Sequence, residues 1–247
     1  MALSRLRKLI IILLTLYWPA LFILAHIPIP KLIRKAGMSD KGLHFLAYMV
    51  LSFLLWSAIS PYKKVIWRKA TVWWVLLVIV WYGVIDELLQ GCIAGRSCDI
   101  RDFFADLAGT FTGLILLSLF TFLPAFLVVT GVVIFGLTNI SRVSLADLLP
   151  WTNTLFHLFT YALFTLLWIR YLDYSLSLKA PKLKWLITAF ILPAAFLLAV
   201  KLGSLILGRS FVITDVVTSA IGIVVVICLI FLTALLRQRP SLLPPDY

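Results

Sequence analysis

Acidic side chains are scarce in this chain. Ten occur in 247 residues, and only one of them, Glu87, is a glutamate. Charged residues of both signs make up 13% of the sequence, against about 25% in an ordinary soluble domain. That shortfall excludes a solvated globular fold. With 63% hydrophobic residues and a mean hydropathy of +1.09, the chain is an integral membrane protein. Cysteines are few as well. Cys228 lies within an apolar run and suits a small core residue, while Cys92 and Cys98 flank IAGRS and are close enough for a disulfide if that loop faces an oxidising compartment. No nucleophile elbow, phosphatase signature or metal-ligand spacing is present. Asp and Glu oxygens alone argue only weakly for a divalent ion, so no cofactor and no metal are expected.

Positive charge is in excess, at a formal +12. The lysines and arginines lie in short segments between long apolar runs, where they fix topology or meet anionic lipid. There is no soluble domain to present a basic face, so a nucleic-acid partner is excluded and membrane lipids are the expected company.

Uncharged runs occur at 9–30, 42–62, 70–85, 107–141, 148–169, 185–200 and 216–236. About 20 apolar residues cross a bilayer, so the run at 107–141 is too long for one span. Pro124 is its natural break. Eight spans are therefore expected. Arg5, Arg7 and Lys8 precede the first span and place the N-terminus in the cytoplasm. Eight crossings return the C-terminus to the same side.

The chain also repeats itself. HFLAYMVLSFLLW begins at His44 and HLFTYALFTLLW at His157, 113 residues later. GRS recurs at the same distance, from Gly95 to Gly208, and carries Arg96 onto Arg209. Tyr48 pairs with Tyr161, Asp102 with Asp215 and Gly109 with Gly222 in that register. The expected fold is an all-α polytopic bundle of two parallel four-helix repeats, 1–121 and 122–247. The second copy keeps His157, Tyr161, Arg209 and Asp215, but Asp86, Glu87 and Gln90 become Ala199, Val200 and Gly203, and Asp106 becomes Ser219. It reads as degenerate, so a site is expected in the first copy.

Five of the ten acidic residues crowd into the stretch Ile85 to Asp106: Asp86, Glu87, Asp99, Asp102 and Asp106. Asp40, Lys41 and His44 open the second span; Asp86, Glu87 and Gln90 close the third; Arg96 and Asp99 follow; Asp102 and Asp106 open the fourth. Successive spans alternate direction, so these ends share one membrane face, the outer one in this orientation. Asp40, His44 and Tyr48 are spaced four apart and share a helix face. Asp102, Asp106, Gly109 and Gly113 form a stripe whose small residues admit a neighbouring helix. Buried carboxylates need partners. An arginine fork between carboxylates would serve, with Lys41 and His44 nearby. Plainer roles exist too. Asp99 and Asp102 suit helix caps, His44 suits a cross-helix hydrogen bond, and Gly109 and Gly113 suit packing. Glu87, an ionisable residue near the end of a span, points to function.

SDKGLHFLAYMVLSFLLW (39–56) resembles the first signature of VanZ-like membrane proteins, and DELLQGCIAGRSCDIRDFFADLAGTFTG (86–113) resembles their second. Asp106 departs from the asparagine expected there. The resemblance carries weight onto Asp40, Lys41, His44, Tyr48, Glu87, Gln90, Arg96 and Asp102. It implies a multi-pass protein of the bacterial cytoplasmic membrane, in a family whose founding member is associated with resistance to teicoplanin, a lipid-tailed glycopeptide. Four functions remain open: binding of an amphipathic or cell-wall-precursor ligand, catalysis on a lipid-linked substrate with a His44 or Glu87 base and an Arg96 phosphate clamp, transport or lipid flipping, and a purely structural partnership with another membrane protein, which small-residue helix faces would serve.

Overall fold

The computed structural model describes residues 4–26, 40–93, 96, 98–139, 150–209 and 211–238, with the side chains of Asp40, Pro150 and Gln238 outside that description. Eight helices account for nearly all of it: α1 (Arg5–His26), α2 (Asp40–Ile59), α3 (Ala70–Gln90), α4 (Ile100–Leu119), α5 (Phe122–Asn139), α6 (Pro150–Ser175), α7 (Leu183–Ile206) and α8 (Ile213–Gln238). No strand occurs among the described residues. Each helix is long and apolar enough to cross a membrane. Helix is the form that lets such a segment satisfy its own backbone polar groups in hydrocarbon.

The expected break in the long fourth run is present, a few residues before the proline. α4 ends at Leu119, Phe120 adopts an extended conformation (φ −114°, ψ 156°), and α5 begins at Phe122. Pro124 sits in the first turn of α5, where its missing N–H is not needed. Other boundaries move outward. α3 continues past Ile85 to take in Asp86, Glu87 and Gln90, and α7 continues through Lys201 to Ile206. A charge ends a run of hydropathy, but it does not end a helix when its partner waits on the next one.

The chain forms two compact units, Met1–Val143 and Ser144–Tyr247. The sequence register places a repeat boundary at 121/122, whereas packing keeps α5 with the first unit. The reason is local: Ala125, Val129 and Ile134 of α5 are buried, and Gly136 lies against Leu46 of α2.

Within the first unit α2 is central, touched by α1, α3, α4 and α5. Tyr17 Oη donates to Ala47 O at 2.9 Å and ties α1 to it. α4 comes closest. A Cβ at Gly109 would fall on Phe45 O and lie 3.0 Å from Met49 N; one at Gly113 would fall on Ser52 Oγ and lie 2.7 Å from Met49 O. Two glycines one turn apart thus let the backbones of α2 and α4 meet. In the second unit α8 approaches α6 in the same manner: a Cβ at Gly222 would lie 2.5 Å from Leu158 O.

Candidate functional site: a polar cluster at one end of the first unit

The close α2–α4 approach fixes where the charges meet. His44, one turn into α2, faces Asp106, nearly two turns into α4, with Nδ1 2.9 Å from Oδ1. Glu87, from the last turn of α3, brings Oε1 to 3.9 Å from the same His44 nitrogen. Its other oxygen, Oε2, accepts the Asp99 backbone N–H at 3.1 Å. The end of α3 is thereby pinned to the start of α4. Asp99 caps α4, its Oδ1 accepting the Arg101 N–H at 2.9 Å. That hydrogen bond, with Lys41 beside it, holds the Asp99 carboxyl below the usual carboxylate range.

The cation between two carboxylates is Lys41. Its Nζ stands 3.4 Å from both Asp99 Oδ2 and Asp102 Oδ1. Arg96 donates to Gln90 Oε1 at 3.2 Å and to Leu24 O at 3.3 Å, and Gln90 Nε2 donates to Asp86 Oδ2 at 2.7 Å. Gln90 has a use for each end of its amide. It accepts from the arginine and donates to the acid, so the two groups are coupled through it. Arg101 supplies its backbone rather than its exposed side chain.

His44, Asp86, Glu87, Gln90, Asp102 and Asp106 are all buried, as is the Tyr48 ring. Sequence reasoning assigned His26 nothing, yet its Nδ1 lies 3.7 Å from Asp86 Oδ1 at the end of α1. The Asp40 side chain lies outside the described residues. Cys92 and Cys98 are free and exposed, and Cys92 Sγ donates to Leu88 O at 3.6 Å. The disulfide that their spacing allowed is not formed, because that thiol turns back along α3. Cys228, expected in the core, is exposed on α8: its helix presents that face outward, as a membrane span can.

Beside this cluster opens a cleft of about 540 Å³. Leu21 and Leu24 of α1, Leu46 of α2 and Val133 and Leu137 of α5 belong to its apolar wall. His44, Tyr48, Asp86 and Arg96 supply its polar part. An apolar cavity of a few hundred Å³ with a few convergent polar groups is the form of a small-molecule site.

The second unit has a smaller polar centre of its own. Asp215 Oδ1 accepts from Asn153 Nδ2 at 2.6 Å, and Oδ2 meets Lys201 Nζ at 3.1 Å and His157 Nε2 at 3.5 Å. Ser219 Oγ lies 3.3 Å from His157 Nδ1, and Tyr161 stacks on the histidine ring with centroids 6.2 Å apart. Arg209 is half-buried just after α7, its backbone N–H donating to Ser204 O at 2.8 Å. Lys201 is the member that sequence reasoning missed. The signal was present: a lysine one residue beyond a long uncharged run, with Asp215 on the next span.

Residues 8–121 match the model of the VanZ/LLP1 family. No curated protein and no solved structure matches the chain. The matched segment contains every member of the first polar cluster and the α2–α4 glycine contact.

Proposed function

We propose that this protein, whose residues 8–121 match the VanZ/LLP1 family model, holds the apolar part of an amphipathic ligand in the cleft between α1, α2 and α5, with the headgroup at Arg96, His44 and Asp86. The observation that carries the reading is the cleft itself: a largely apolar wall closed at one end by a guanidinium, an imidazole and a carboxylate. A lipid or a lipid-tailed cell-wall compound has the matching division. Its tail gains about 25 cal/mol for each Å² of apolar surface removed from water, and an anionic headgroup suits Arg96. The protein is then a multi-pass component of the bacterial cytoplasmic membrane with both termini cytoplasmic, and its polar cluster faces the outer leaflet. Basic residues ahead of α1 support that orientation.

The second unit is read as a worn copy of the first. In its support, Gly109 on Phe45 and Gly222 on Leu158 are the same contact 113 residues apart, and so are His44 with Asp106 and His157 with Ser219.

The test is lipid retention. Purified wild-type protein is compared by native mass spectrometry with Ala47→Trp and Ala20→Trp, which fill the cleft. Wild type should retain a bound lipid-sized species that both variants lose. Equal retention in all three overturns the reading. Expression in a susceptible bacterium supplies the cellular arm: a selective rise in the inhibitory concentration of teicoplanin over vancomycin, lost in Ala47→Trp, assigns the ligand to lipid-tailed compounds.

Catalysis is the second reading, favoured by the 2.9 Å contact between His44 and Asp106. A carboxylate that orients an imidazole at the wall of a cleft is the arrangement of a general base. It requires a lipid species whose abundance changes in cells expressing His44→Ala. An unchanged lipid profile removes it.

A further inference from the structure

Three buried groups from three helices converge beside the cleft, and only His44 of the three lines it. His44 Nδ1, a Glu87 oxygen and an Asp106 oxygen lie within 4.8 Å of one another. The histidine stands 2.9 Å from Asp106 Oδ1 and 3.9 Å from Glu87 Oε1. Ligand atoms that share one first-row cation at bonds of about 2.1 Å lie roughly 3.0–3.4 Å apart. The His44–Glu87 pair therefore needs a closure of about an ångström or less, and the two carboxylates one of at most about 1.8 Å.

The oxygens are also poorly used by the protein. Among the described residues, Glu87 Oε1 and Asp106 Oδ2 have no hydrogen-bond partner, although the residues are 4% and 2% exposed. A non-acidic buried group lies on the Asp106 side of the trio. Tyr48 is 2% exposed and its hydroxyl is likewise unpartnered. Tyr48 Cε1 and Asp106 Oδ2 both lie 3.5 Å from where Gly83 would carry a Cβ, so ring and carboxylate converge there. Asp86 is buried nearby on the same turn of α3 as Glu87. Several buried anions beside one imidazole cost several kcal/mol each unless they are compensated. Lys41 serves Asp99 and Asp102. The His44 trio is left with one imidazole for two carboxylates.

We propose that His44, Glu87 and Asp106 form a binding site for a divalent transition-metal ion. One imidazole nitrogen and two carboxylate oxygens suit zinc or manganese better than the all-oxygen shells of calcium and magnesium. The three ligands come from α2, α3 and α4, so the ion would clamp the helix ends that the close α2–α4 approach brings together.

The probe is zinc. Full-length, untagged protein in detergent is stripped with EDTA and titrated with Zn²⁺ against a chromophoric chelator. Wild type should bind one equivalent in competition with the chelator and gain thermal stability. Glu87→Gln and Asp106→Asn, both close to isosteric, should each weaken binding about tenfold or more. The Cys92→Ser/Cys98→Ser variant should bind as wild type does. Three results overturn the proposal: no competitive binding by wild type, unchanged affinity in both carboxylate variants, or loss of binding in the cysteine variant. If one carboxylate variant does not purify as a single species, the other decides. The site shares His44 with the cleft; the carboxylate variants lie outside the cleft lining and the cleft-filling variants outside the three ligands, so metal binding and lipid retention fail separately.

Discussion

Alanine at Gly109 is the most informative single change in the fold. Helix propensity alone favours alanine over glycine by roughly 0.5–1 kcal/mol. At Gly109 that gain meets an obstacle, because the new Cβ would fall on the backbone oxygen of Phe45 and sit 3.0 Å from Met49 N. Carbon contacts are comfortable at about 3.5–4 Å, and a backbone carbonyl in mid-helix cannot turn away. α2 and α4 must therefore part by an ångström or more. Overpacking of this kind costs about 1–3 kcal/mol. It also separates His44 from Asp106, whose 2.9 Å contact lies one turn away on the same interface. Two other glycines calibrate the effect. At Gly83 the nearest atoms to a Cβ are 3.5 Å away on every side, an ordinary contact, so Gly83→Ala should be neutral or stabilising by up to about 1 kcal/mol. At Gly136 the obstacle is Leu46 Cδ1 at 2.6 Å, the far end of a side chain that can rotate, so that change should fall between them. Thermal unfolding followed by tryptophan fluorescence, in one detergent, ranks the three. The expected order of stability is Gly83→Ala, then Gly136→Ala, then Gly109→Ala. A Gly109→Ala protein as stable as Gly83→Ala would refute the close α2–α4 approach, and with it the placement of His44 on Asp106.

Two further outcomes follow from the loop between α3 and α4. The Asp99 carboxyl sits below its unfolded value, so its contribution is present above about pH 4 and lost as pH falls through the folded value. Asp99→Asn should then be less stable than wild type near neutrality and indistinguishable from it in acid, as read from unfolding midpoints across pH; a constant difference at all pH values contradicts this. Cys92 and Cys98 are free and exposed, so a membrane-impermeant maleimide should label both in intact cells without prior reduction. Labelling only after permeabilisation would place the polar cluster on the cytoplasmic side.

Helix number, and which polar residues gather at one end of the first unit, were legible in the sequence because both rest on short-range patterns. Apolar runs of bilayer length mark spans. Spacing by three or four puts His44 and Tyr48, or Asp106 and Gly113 with Gly109 between them, on shared faces. Partner choice was not legible. Lys41 and Arg96 are both cations near several acids, and only the helix positions decide that Lys41 bridges Asp99 and Asp102 while Arg96 works through Gln90. Hydropathy erred at the same places for the same reason. Runs were cut at Asp86 and Lys201, where the helices continue because the charges are paired inside.

Lys201 turns this reasoning into an experiment. Asp102 in the first unit receives its cation from α2, through Lys41. In the 113-residue register Lys41 corresponds to Thr154 and Leu88 to Lys201. The second unit has a threonine at that α6 position and a lysine on α7, 3.1 Å from Asp215. The acid needs a cation, whichever helix supplies it. Lys201 and Asp215 are both buried, so Lys201→Leu strands a carboxylate and should destabilise by about 3 kcal/mol or more. Removing the acid as well, in Lys201→Leu/Asp215→Asn, should return most of that loss. So should Thr154→Lys on the Lys201→Leu background, if α6 and α8 stand as α2 and α4 do; Gly222 against Leu158 and Gly109 against Phe45 indicate that they do. Unfolding midpoints of the four proteins in one detergent measure each step. Recovery with Asp215→Asn but not with Thr154→Lys would keep the ion pair and refute the shared geometry of the two units. Recovery with neither would mean that Lys201 stabilises α7 by its packing rather than by its charge.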